Sequence, residues 1–261
     1  MAEKNLTLGR GELWFAKYLP NTQTPGGERY IGNSPEFSAT IESEALDHFD
    51  SDHGVNEKDD SIPLSTNRTG SFVTDNIDPE NVALFFFGEK STLSVTGGAV
   101  TDEPHNAVAQ GLTYQVGMTT GNPSGARDID TATPVVVKDG DTPATTYVLG
   151  TDYTFDYVLG RLTIVEGGGI DDGANVTITY TTKTSKRDRI ISGSTAIQGA
   201  LRYIAFNPAG KNFDWYMPYV KLSPNGDYNL KGDEWQQIPF NIEILKKSGM
   251  EALYIDGRPY T

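Results

Sequence analysis

Phe37-Ser38-Ala39-Thr40-Ile41-Glu42-Ser43-Glu44 is a clean period-two stretch, with Phe37, Ala39 and Ile41 on one side and Ser38, Thr40, Glu42 and Glu44 on the other. Successive side chains of a strand leave on opposite faces, so the pattern is a strand with one face on a core and one in water. Near the end of the chain, Ile238, Phe240, Ile242 and Ile244 alternate in the same way with Gln237, Asn241 and Glu243. Leu13 and Phe15 mark another strand early on, and 28 glycines and 14 prolines supply the turns that such a fold needs. The sequence predicts a mainly β protein.

Working outward from Glu44, the alternation stops. Residues 45–68 show no sustained period and are rich in Asp, Ser, Asn and Gly, which predicts a long loop. Between Glu42 and Asp60 lie eight carboxylates (Glu42, Glu44, Asp47, Asp50, Asp52, Glu57, Asp59 and Asp60) against one base, Lys58. After a strand over residues 69–74, Asp78-Pro79-Glu80-Asn81 sets up a helix start. The Asp78 carboxylate can accept from a free backbone N–H, and Pro79 at the first helical position forfeits nothing. The expected helix covers residues 79–87 with Gly88 as its stop, held by packing through Val82, Phe85 and Phe86.

The texture changes again over residues 114–182, where short strands are punctuated by turns such as Lys138-Asp139-Gly140-Asp141 and Asp171-Asp172-Gly173. That rhythm suggests a small β-sandwich of its own. The expected organisation is a host domain of residues 1–112 and 186–261, interrupted by an inserted β-module at 113–185.

Composition narrows the function. A formal net charge of −14 with no basic stripe opposes the phosphate neutralisation on which nucleic-acid binding depends. With no cysteine there is no disulfide, thiol nucleophile or cysteine-held zinc. No apolar run reaches the roughly 18 residues of a membrane span, and Met1–Thr7 has no apolar signal core, which points to folding in a cytosol.

The chemical motifs fail on spacing. His48 and His53 sit among Asp47, Asp50 and Asp52, but a calcium loop counted from Asp50 needs glycine where Val55 stands and glutamate where Ser61 stands. Gly88-Glu89-Lys90-Ser91 closes a helix, whereas a phosphate loop opens one. The three histidines, His48, His53 and His105, fall in expected loops, and no Gly-x-Ser-x-Gly elbow accompanies them. The reading is of a protein that is not an enzyme and takes no cofactor and no metal.

The run Met217-Pro218-Tyr219-Val220-Lys221-Leu222-Ser223-Pro224-Asn225-Gly226, followed by Leu230-Lys231-Gly232-Asp233-Glu234-Trp235 and Ile238-Pro239-Phe240, resembles the end of the major tail tube proteins of long-tailed bacteriophages. The order strand, long loop, strand, short helix over residues 34–91 resembles them too. Gly150-Thr151-Asp152-Tyr153-Thr154 and Gly160-Arg161-Leu162-Thr163-Ile164 are similar to β-modules that recur in phage structural proteins.

The resemblance implies two packed antiparallel sheets, a β-sandwich or barrel, with one flanking helix and an exterior β-module. It implies six subunits in a ring, with rings stacked helically into a virion tail tube assembled in the host cytoplasm. The implied partners are further copies of the chain, a tape measure protein in the lumen, and the tail terminator and distal tail or baseplate proteins. Double-stranded DNA passes without specific binding, and no membrane is involved. The loop bridging neighbouring rings maps to residues 45–68, with Asp47, His48, Asp50, Asp52, His53, Glu57, Asp59 and Asp60. The lumen-facing candidates are Ser38, Thr40, Glu42 and Glu44, whose short and acidic side chains would let DNA slide. The alternative is a β-sandwich binding module for carbohydrate, or a capsid-decorating protein. Trp14, Trp215 and Trp235 are few and scattered for such a surface.

Overall fold

Strand is the dominant element: the computed structural model, which describes residues 5–52, 54–141 and 144–259, is mainly β with several antiparallel sheets and, among the described residues, a single short helix. In chain order the elements are β1 (Gly11–Lys17), β2 (Arg29–Tyr30), β3 (Glu36–Asp50), β4 (Glu57–Thr74), α1 (Pro79–Phe85), β5 (Glu89–Val95), β6 (Gly98–Val108), β7 (Thr113–Gln115) and β8 (Val136–Asp139). They continue with β9 (Tyr153–Asp156), β10 (Arg161–Ile164), β11 (Ala174–Thr182), β12 (Ser185–Ile191), β13 (Ile197–Ala205), β14 (Phe213–Pro224), β15 (Ile238–Ile244) and β16 (Tyr254–Gly257). The chain divides into two units, Met1–Ser91 with Arg189–Thr261, and Thr92–Asp188.

The first unit is built on one continuous eight-stranded sheet in the order β2-β1-β13-β14-β15-β4-β3, with β16 also paired to β14. Leu13, Phe15, Phe72, Leu201, Met217, Val220, Phe240 and Ile242 line one face and share a single core with Leu84 and Phe85 of α1. Phe72 and Phe240 are fully buried and stack with centroids 4.9 Å apart. Each such side chain contributes about 1.5–3 kcal/mol by leaving water. Phe37, on the terminal strand β3, meets Tyr203 of β13 at 5.5 Å, so the sheet curls until distant strands face each other across the core.

Helix α1 starts as expected. The Asp78 carboxylate accepts from the Asn81 N–H at 2.8 Å and also pairs with Arg29 at 3.2 Å. The helix ends earlier than a stop at Gly88 requires. Phe87 itself takes the left-handed conformation, φ 52°, and the Gly88 N–H closes onto the Ala83 carbonyl at 2.8 Å. Gly88 is needed for a different reason, because a Cβ there would lie 2.2 Å from the Ile191 carbonyl oxygen. Of the expected packing residues, Phe85 is buried and Val82 half-buried, but Phe86 is 42% exposed. Phe86 caps the helix C-terminus and turns outward, and Leu84 takes the place in the core that the sequence had assigned to it.

The second unit, Thr92–Asp188, has one sheet in the order β6-β11-β8 and another in the order β7-β10-β9. Both surround a core of Val108, Val137, Tyr153, Leu162, Ile164, Val176, Ile178 and Tyr180. Its limits are wider than the 113–185 read from the sequence, because β6 is a full partner of β11 from Gly98↔Thr182 to Val108↔Ala174. The ladder between them skips register at two places, and Asp102 and Ala107 sit there with φ of 51°. With Pro104 between them, these bulges erase the alternation that would have marked a strand.

Candidate functional surface

The predicted long loop is not a loop. Residues 45–68 belong to a two-stranded arm in which β3 and β4 stay paired from Glu36↔Val73 to Asp50↔Glu57. β15 pairs with β4 only over Thr69–Thr74, so beyond that the arm has no third strand and no core beneath it. With both faces in water, nothing in its sequence has to alternate, and that is why the period vanished. Two bulges add twist: Leu64 is left over between Glu44↔Ser65 and Ala45↔Pro63, and Asp59 between His48↔Asp60 and Phe49↔Lys58.

The arm's acidic residues are dispersed along it. Asp47 pairs with Lys58 at 2.6 Å and accepts from the Ser61 hydroxyl at 2.8 Å. These contacts hold its carboxyl below the usual range. His48 Nδ1 lies 2.5 Å from the bulged Asp59, whose carboxyl the contact also holds low. Asp50 accepts from the Asp52 N–H at 2.9 Å in the turn, and Asp60 from the Ser61 N–H at 2.7 Å. Glu57 faces Asp50 across the last pair of the ladder. His53 lies outside the described residues. No group of three side chains able to hold a metal occurs among the described residues.

Attention to charge missed the arm's apolar side chains. Ile41, Leu46, Phe49, Val55, Ile62 and Leu64 are all exposed, from 47% at Phe49 to 71% at Val55. Leu46 and Ile62 stand directly opposite each other and form an apolar step on an otherwise polar ribbon. The string Ile62-Pro63-Leu64 was the available signal, since three consecutive apolar residues are hard to place in a solvated loop.

At the arm's base only the polar half of the expected alternation holds: Phe37 is half-buried against the core, but Ala39 and Ile41, expected beside it, are exposed because β3 runs out past the core. Ser38, Thr40, Glu42 and Glu44 share one face of β3, opposite Ser71, Thr69, Asn67 and Ser65, and all four are exposed. This face continues across the sheet away from the core. Asn241, Ser71 and Ser38 form one row and Glu243, Thr69 and Thr40 the next. The Ser38 and Ser71 hydroxyls lie 3.0 Å apart. Cations on this face are neutralised: Lys221 by Glu243 at 3.5 Å, and Arg202 by Glu28 at 2.8 Å while it also covers the Tyr216 ring at 4.5 Å. A surface of hydroxyls, carboxylates and paired cations has little purchase on phosphate.

The sheet ends are open. The 15-residue β3 is terminal, with its outer edge unpaired, and at the other end β1 is covered only by the two-residue β2. Unpaired N–H and C=O groups along such an edge are a template for another strand.

The chain belongs to the family described as "Protein of unknown function UCP028589", which it matches over residues 6–252. No curated protein matches it.

Proposed function

We propose that this chain is a structural subunit that assembles with copies of itself into rings and a tube of the phage tail kind, a conduit within a virion. The observation that carries the reading is the pair of open sheet ends, which edge-to-edge pairing around a closed ring would satisfy. The polar face bearing Ser38, Thr40, Glu42 and Glu44 would then line the channel, where carboxylates and hydroxyls let double-stranded DNA pass without adhering. The arm would reach a neighbouring ring. An isolated two-stranded ribbon is marginal in water, so its exposed Leu46, Ile62 and Leu64 favour an arm completed by a partner.

In this reading the chain is not an enzyme. Its other contacts are a tape measure protein in the lumen and the terminator and distal proteins at the tube's ends. Negative-stain microscopy of the purified protein tests it: rings or tubes of uniform width are expected. A protein that stays monomeric at high concentration overturns it. Deleting residues 48–60 should leave a folded subunit that no longer stacks, and tubes formed by the deletion variant would remove the arm from that role.

A further inference from the structure

Trp235 is 92% exposed, the most exposed large apolar side chain among the described residues. It stands on the segment between β14 and β15, with Leu230, itself 74% exposed, and next to Asp233 and Glu234. That segment, residues 225–237, carries the carboxylates Asp227, Asp233 and Glu234 against the single cation Lys231. A tryptophan presented in this way has the largest contact area of any side chain, and it is the residue most enriched where binding energy concentrates.

The same unit offers a matching recess. A groove of about 560 Å³ is walled by Leu13, Phe37, Ala39, Tyr203 and Trp215, and Trp235 of the same chain takes no part in it. The volume is in the range of about 300–1,000 Å³ typical of sites that enclose a compact group. Arg10 is the one charged residue in its lining. Its guanidinium donates to the Gly9 carbonyl at 2.8 Å and has no carboxylate partner among the described residues.

We propose that Trp235 of one copy docks in this aromatic groove of a second copy, with Asp233 and Glu234 meeting Arg10. Charge selects the occupant. Copies with a net charge of −14 repel, so a contact that sets Asp233 and Glu234 against a cation with no carboxylate partner offsets part of that repulsion, and the groove has one in Arg10. Arg10 can also stack on the indole face, a favourable cation–π pairing. The inference deepens the self-assembly reading and rests on it, by naming the contact between neighbours.

The test compares the full-length chain with three variants by analytical ultracentrifugation and negative-stain microscopy. Trp235→Ala should raise the concentration for half-assembly by about tenfold or more, with a nearly unchanged melting temperature because the side chain is 92% exposed in the free subunit. Arg10→Glu should weaken assembly too, and combining it with Glu234→Arg should restore much of it. Rings formed equally well by the parent and by Trp235→Ala overturn the docking and leave the ring reading standing. A parent that forms only dimers, lost in Trp235→Ala, supports the docking and overturns ring closure. A parent that is monomeric at every concentration overturns both.

Discussion

The two units differ in how far each is finished. The second, Thr92–Asp188, is the more nearly finished: β7, β8, β9 and β10 are only three or four residues long, its one long terminal edge, the 11-residue β6, is interrupted by two bulges, and its half-buried carboxylate is fully partnered. That group is Glu103, which accepts from the Gly117 N–H at 2.8 Å and the Tyr180 hydroxyl at 2.6 Å and lies 3.0 Å from His105. The first unit also has a buried core, yet it leaves a 15-residue edge, an unsupported arm and an exposed tryptophan in water. One region is organised for its own stability, and the other leaves on its surface the groups that a partner would satisfy.

The deepest cut through this contrast is Phe72→Ala. It removes a fully buried ring stacked on Phe240 and should cost the first unit about 3–5 kcal/mol. Differential scanning calorimetry should then show one transition moved down strongly while the other, from the second unit, stays in place. A common shift of both would mean that the two units unfold as one.

Glu103→Ala makes the reciprocal cut. It strands the Gly117 N–H and the Tyr180 hydroxyl in a partly closed setting, for about 2–3 kcal/mol lost from the second unit alone. Its pH dependence has a definite sign. Burial alone would raise the Glu103 pKa, but the bonds from His105, Tyr180 and Gly117 outweigh it and hold the carboxyl below its ordinary 4.5. The unfolded chain therefore binds the proton first as pH falls. The contribution is whole above about pH 4.5 and is lost as pH drops through the lower folded value. Acid melts should show the second unit's transition falling more steeply in the parent than in Glu103→Gln.

The N-cap gives a smaller effect on the first unit. Asp78→Ala removes both the bond from the Asn81 N–H and the pairing with Arg29, and about 1 kcal/mol is expected. This cap was legible in the sequence because its logic is local: Asp78, Pro79 and the residues after them suffice. The core strands were legible as well, since Ile238, Phe240, Ile242 and Ile244 have one buried face and keep strict alternation. What escaped were elements whose side chains answer to something other than a period. β6 was hidden by its bulges at Asp102 and Ala107. Phe86 was indistinguishable from its apolar neighbours in so short a helix, and only the turn at Phe87 sends it outward. The groove around Arg10 brings together residues 9 to 215, a distance along the chain that spacing cannot express.

The arm yields the smallest effect on the subunit, and that smallness is the point. Leu46 and Ile62 face each other at 61% and 58% exposure and touch no core, so replacing both by serine should change unfolding free energy by no more than about 0.5 kcal/mol. If the arm is completed by a partner, the same pair should matter greatly for assembly, because the apolar step is then buried against a neighbour. Hydrogen exchange separates the two states. In the free subunit the amides of residues 41–68 should exchange quickly, because only two strands hold them; in assembled material they should be protected, and Leu46→Ser with Ile62→Ser should abolish that gain. Equal protection in both states would mean that the ribbon is stable by itself, which would place the arm with the second unit as a finished element.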